Sequence, residues 1–157
     1  MTPAIKAAEK ANIPFTVHQY RHDPSAKSFG GEAAQALGLN PERVFKTLIT
    51  SADGDRGQLV VAVIPVDKHL DLKALASVVD AKRMTMADEA DAERATGYVI
   101  GGISPLGQRK RLPLILDESA LRHDTIYVSA GRRGLEIELV PHDLIRLSAG
   151  ESAPIAR

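Results

Sequence analysis

The chain has no cysteine and no tryptophan, and only three Phe and three Tyr among its 157 residues. Without cysteine there is no disulfide framework, no thiolate zinc site and no cysteine nucleophile. So few rings leave little material for a sheet that binds single strands by stacking bases. Net charge is missing too: 20 basic and 20 acidic residues cancel to a formal charge of zero. That removes the global positive field behind tight, unaided binding to a phosphate backbone, so any nucleic acid must be met locally or with a partner's help. No apolar run is long enough to span a bilayer, and the N-terminal "MTPAIKAAEKANIP" reads as an amphipathic helix rather than a signal peptide. A cytoplasmic protein with no membrane partner is expected.

What is present suits one domain over residues 1–157, since 44% hydrophobic and 25% charged residues can build a single sizeable core. Thr2 caps a first helix with Pro3 in its first turn, and "FTVHQY" alternates as a strand. "GEAAQALGL" predicts a short helix ended by Gly38. "VFKTLIT" and "QLVVAVIPV" are β-rich runs on either side of "SADGDRG", a reversal with a longer loop. "DLKALASVVD", capped by Asp71, and "ADEADAERAT", closed by Gly97, predict helices. "AKRMTM", "GYVIGG", "LPLILD", "TIYVSA" and "LEIELV" predict strands, "PHDLIRL" a closing helix, and residues 147–157 a loose tail. The order is not the strict alternation of a doubly wound fold. It predicts an α+β protein with a mixed, barrel-like sheet of about six to seven strands.

Two motifs mislead. "GGISPLGQRK" has the glycine spacing of a phosphate-binding P-loop from Gly102 to Gly107, but Gln108 and Arg109 replace the required Lys and Ser or Thr, and a strand follows instead of a helix. "DEAD" at residues 88–91 is the acidic start of a helix, where carboxylates face the positive end of the dipole. The adjacent Gly101 and Gly102 leave open a ligand cradle or a plain turn.

The five histidines include no HExxH motif, and with no cysteine a metal site has little support and no cofactor is implied. Ser104 and Ser129 sit beside glycine-bearing turns, and no GxSxG marks a serine triad. Lys46 stands in an otherwise apolar strand, with Val44 and Leu48 on its face. It can be a lysine guarding an edge strand, or a cation fixed at a pocket wall. Arg109, Lys110 and Arg111 beside the double glycine, with Arg132 and Arg133 in "AGRRG", are either solvated loops or a basic rim.

Taken in order, "VFKTL", "GGISPLGQ" and "IYVSAGRRGL" resemble the YbaK/EbsC family of bacterial aminoacyl-tRNA deacylases, most closely its YbaK type, over about Thr2 to Leu147. The resemblance implies a protein that removes cysteine from tRNA, above all cysteine mischarged onto proline tRNA, in company with prolyl-tRNA synthetase. It implies that Lys46 is the principal functional residue, holding the aminoacyl-tRNA near its 3′ end. By the same analogy Tyr20, Phe29, Thr47, Gly101, Gly102, Ile103, Ser104, Ser129 and Gly131 line the site. Where the family often has aspartate, in "RGLDIEL", this chain has Glu136, one methylene longer.

The chemistry this implies needs little from the protein. A cysteinyl ester carries its own thiol, which can attack its own carbonyl and release tRNA by cyclisation once the ester is held in reactive geometry. Backbone N–H groups of residues 101 to 103 are then candidates to meet the oxyanion. Two alternatives stand beside this reading: a deacylase for alanine or another small amino acid, and a non-catalytic module that binds an aminoacyl end or a small anion.

Overall fold

The computed structural model describes residues 1–26 and 29–157, and for positions 29, 30, 56 and 57 the backbone alone. Thr2 caps α1 (Pro3–Lys10) by accepting a hydrogen bond from the Ile5 N–H at 3.2 Å. Strand β1 (Phe15–Gln19) is followed in the chain by α2 (Phe29–Leu37). Strands β2 (Phe45–Ala52) and β3 (Asp55–Pro65) form a hairpin around Asp53 and Gly54, both at positive φ. The reversal is therefore two residues rather than the longer loop expected. Asp53 Oδ1 fixes it by accepting from the Lys82 and Arg83 N–H groups at 3.0 and 2.9 Å.

Helix α3 (Leu72–Val79) starts at Asp71, whose carboxylate accepts from the Ala74 N–H, and leads to β4 (Met84–Met86). Asp88 caps α4 (Glu89–Thr96), which ends at Gly97 in the left-handed conformation that glycine adopts without strain. Then come β5 (Leu114–Asp117), β6 (Ile126–Arg132), β7 (Leu135–Leu139), α5 (Pro141–Ser148) and β8 (Glu151–Ala153). Among the described residues none of the helices is long and apolar enough to cross a membrane.

The α+β class holds, with five α-helices among the described residues, but the strands divide between two sheets instead of one. One is antiparallel, in the order β1-β7-β6; the other is mixed, β4-β2-β3-β5-β8, with its last two pairings parallel. Among the described residues neither sheet closes on itself. A bridge between Val44 and Tyr127 joins them. The main core fills the space between the sheets, with Phe45, Ile49, Val61, Leu116, Ile126 and Ile137 among its members.

Two expectations fail. "GYVIGG" is not a strand, because Gly97 turns the chain and the buried Tyr98 hydroxyl donates to the Leu106 carbonyl at 2.6 Å, folding the segment back on itself. Residues 147–157 are not a loose tail either. Strand β8 pairs with β5, the Arg157 and His69 main chains exchange two hydrogen bonds of 2.9 Å, and Ile155 is fully buried. The composition around Gly150 hid a strand whose anchor is that one side chain. Ile155→Ala should therefore lower stability by about 3 kcal/mol, roughly 6–12 °C in Tm, on thermal melting followed by circular dichroism.

Candidate active site

A cavity of about 470 Å³ opens where β2, the start of α4, the 97–103 loop and the β6–β7 end converge. Strand β2 is exposed there because the three-residue β4 covers only Thr50–Ala52 of the edge facing away from β3. The Ala87 N–H donates to the Ile49 carbonyl on that edge at 3.0 Å. Thr47, two residues earlier, turns its main-chain groups to the same side, where among the described residues no strand pairs with it. This is why Phe45, Lys46, Thr47, Leu48 and Ile49 all border the cavity, where strict alternation would allow only every other residue.

Lys46 is half-buried. Loss of water around its ammonium holds its pKa below the ordinary lysine value, and the nearby Asp67 carboxylate offsets only part of that. The result is a cation placed in the wall with no hydrogen-bonded partner among the described residues. The Thr47 Oγ1 is buried and also has no hydrogen-bond partner among them.

The facing wall comes from β6 and β7. Glu136 is only 5% exposed, and its carboxyl carries no hydrogen bond or ion pair among the described residues. Burial alone pushes its pKa up to about 8. His18, its partner across β1, is turned instead to Glu138, with Nε2 and Oε1 2.9 Å apart. Ser129, its partner across β6, accepts from the Gly131 N–H at 3.1 Å. Tyr20 lines both the cavity and an adjoining groove, its main-chain N–H donating to the Gly134 carbonyl at 2.9 Å. Burial raises its phenol pKa, with the carboxylates of Glu136 and Glu32 adding to the rise and the Gly134 main chain opposing it.

The double-glycine loop is placed by α4, since Glu93 Oε2 accepts from the Ile100 N–H at 2.8 Å. Its two glycines have different reasons. Gly101, at φ 93°, lines the cavity. Gly102 is a packing glycine: a Cβ there would lie 2.8 Å from Arg132 Cα, and its N–H is already given to the Val99 carbonyl at 2.9 Å. Its amide is thus withdrawn from the oxyanion role expected for residues 101 to 103. Ser104 is fully buried, its hydroxyl accepting from the Leu106 N–H at 3.2 Å, and it does not border the cavity. Gly131 packs where a Cβ would meet Tyr98 at 2.9 Å.

Of the expected site, the structure gathers Tyr20, Lys46, Thr47, Gly101, Ile103, Ser129, Arg132 and Glu136 around one cavity, and leaves Gly102, Ser104 and Gly131 as supports behind it. The Phe29 side chain lies outside the described residues. Met86, Ala87, Glu89, Ala92 and Ile100 also line the cavity and were not foreseen. The basic clusters separate. Arg132 borders the cavity and also a shallow adjoining groove with Arg21, His22 and Arg133. Lys110 and Arg111 line a different hollow with Ala7, Leu147 and Ser148, and the Arg109 N–H donates to the Thr96 carbonyl behind α4. His22 belongs to the groove, with its Nδ1 2.7 Å from Glu32 Oε1. Among the described residues no histidine enters the cavity, and no three His, Asp or Glu side chains converge as metal ligands.

The profile of the aminoacyl-tRNA editing domain matches residues 23–147, four-fifths of the chain and every part of the cavity except Tyr20. The chain belongs to the aminoacyl-tRNA editing family. Within that family it is 38% identical over 154 residues, 98% of this chain and 92% of its relative, to EbsC of Enterococcus faecalis, described as a candidate Cys-tRNA(Pro)/Cys-tRNA(Cys) deacylase. It is 31% identical over 108 residues, 68% of this chain and 65% of its relative, to the multifunctional Ser/Thr-tRNA deacylase ProXp-y of Escherichia coli. Among solved structures, a candidate trans-editing enzyme for prolyl-tRNA synthetase superposes with a TM-score of 0.84 at 22% identity, covering 100% of this chain and 99% of that one. That likeness establishes the editing-domain fold.

Proposed function

We propose that this protein is a trans-editing aminoacyl-tRNA deacylase, a single editing domain that clears cysteine mischarged onto proline tRNA. The observation that carries this is the pairing of a half-buried cation, Lys46, which has no hydrogen-bonded partner among the described residues, with an open strand edge in one wall of the cavity, in a chain of the editing family. The 38% identity to EbsC supports the cysteinyl substrate, and the fold shared with a trans-editing enzyme supports prolyl-tRNA synthetase as the partner.

Lys46 holds the terminal ribose-phosphate, where a fixed ammonium in a partly dry site attracts an anion more strongly than an exposed one does. The preceding nucleotides leave across Arg132 into the groove of Arg21 and Arg133, which makes the Arg109–Arg111 cluster the weaker tRNA contact. The cavity hydroxyls of Thr47 and Ser129 lack a neighbouring histidine base among the described residues. A nucleophile supplied by the substrate fits that wall: the cysteine thiol attacks its own ester carbonyl, the bond to the ribose oxygen breaks, and that oxygen takes up the thiol proton.

Single-turnover release from tRNA(Pro) charged with cysteine, alanine or serine tests this. Cysteine should leave at least about tenfold faster than either competitor, with a cyclised thiolactone as the first product. Equal release of alanine or serine would remove the thiol mechanism and favour a deacylase for small amino acids, a reading that the identity to ProXp-y keeps in play. Binding without any release would favour the non-catalytic module.

A further inference from the structure

Two polar groups of cavity-lining residues have no hydrogen-bond partner among the described residues. One is the carboxyl of Glu136, a residue only 5% exposed whose carboxyl has no hydrogen bond among the described residues; the other is the buried Thr47 hydroxyl, which has none among them either. Both residues line the same 470 Å³ cavity. An unpaired buried carboxyl is costly to keep, and a cation that enters the space offsets that cost only while it is bound. Lys46 does not serve, because the charge that acts on it is Asp67 and burial is the sole influence on Glu136.

On the deacylase reading above, the bound end of the substrate has one cationic group, the α-ammonium of the aminoacyl ester. We infer that Glu136, with the Thr47 hydroxyl, receives the free α-amino group of the aminoacyl ester, so that the protein releases single amino acids and spares tRNA carrying an N-blocked residue or a peptide. An ammonium has three N–H donors. The Glu136 carboxylate accepts one or two of them, and the Thr47 Oγ1 accepts another. Protons balance in either direction. An ammonium entering against neutral Glu136 sends the carboxyl proton to solvent, and a neutral amine takes that proton itself.

The cavity is thereby polarised, with Lys46 at the phosphate end and Glu136 at the amino end. Fixing both ends limits the bound cysteine to rotation about its side-chain bond, which brings the thiol to its own carbonyl. An N-acylated residue has lost the charge and adds bulk, and it leaves Glu136 without a counter-ion.

The test compares Cys-tRNA(Pro) with N-acetyl-Cys-tRNA(Pro), both of which keep the thiol, and reads release above the spontaneous rate. Wild-type protein should release the acetylated form about 100-fold more slowly. Glu136→Gln should narrow that ratio to within about fivefold by slowing the free-amine substrate. Thr47→Val should narrow it in part, and Thr47→Ser should restore it. Equal release of the two substrates by wild type would overturn the inference and leave the deacylase reading standing. A ratio unchanged in Glu136→Gln would show exclusion by size and would also overturn it. Release of neither substrate would overturn the deacylase reading beneath it.

Discussion

Replacing Lys46 by alanine should lower kcat/KM for Cys-tRNA(Pro) about 100-fold, or about 2.7 kcal/mol of transition-state stabilisation, while the fold persists. The ammonium is half-buried and held below its ordinary pKa by loss of water, with Asp67 compensating only in part. It is therefore not positioned for stability, and its removal should not lower Tm. Its attraction for a terminal phosphate acts in a partly dry wall, where the same charge counts for more than on an open surface. Lys46→Arg keeps the charge but exchanges a compact ammonium for a longer planar fork, so it should recover only part of the activity. Single-turnover release of labelled cysteine measures both variants. Wild-type rates in Lys46→Ala would remove Lys46 from the mechanism and leave the open edge of β2 to account for binding.

The sequence marks this lysine because Lys46 interrupts an apolar strand, and the caps at Thr2 and Asp71 are equally legible because their hydrogen bonds reach only three residues ahead. What lies beyond its reach depends on distant partners. Nothing in "VFKTLIT" shows that β4 will pair with only its last three residues, yet that short pairing opens the edge at Thr47. The two glycines of "GGISPLGQ" look alike, and they diverge because Arg132, thirty residues later, packs against one and not the other. Strand β8 has a weak local signal; it forms because β5 offers an unpaired edge and the core has a place for Ile155. Glu136 was noted for its departure from the usual aspartate. Its isolation in the wall appears only once its cross-strand neighbours, His18 and Ser129, are seen to bond elsewhere.

That isolation predicts an unusual dependence of stability on pH. Glu136 has a pKa raised by burial to about 8 in the folded protein, against roughly 4.3 for an unfolded glutamate. Between these values the folded state holds a proton that the unfolded state has lost, so stability falls as pH rises, by up to about 1.4 kcal/mol per unit. Below pH 4 the contribution vanishes, and above pH 8 it is complete. Glu136→Gln keeps the shape and stays neutral throughout. It should match wild type near pH 4.5 and exceed it by about 4 kcal/mol at pH 8.5, in urea melts followed across that range. The other shifted carboxyls cannot produce this pattern. Glu32 and Glu138 are pushed up by burial but held lower on balance by bonds from His22 and the Asp23 N–H, and from Thr125 and His18; Asp23 is held down by Ser25. Groups with depressed pKa values lose stability as the solution is acidified, in the opposite window. Parallel wild-type and Glu136→Gln curves would mean that water reaches the carboxyl and that it is ionised at neutral pH. A difference that grows from pH 5 to 8 would show an acid kept neutral until a cation arrives to take its charge.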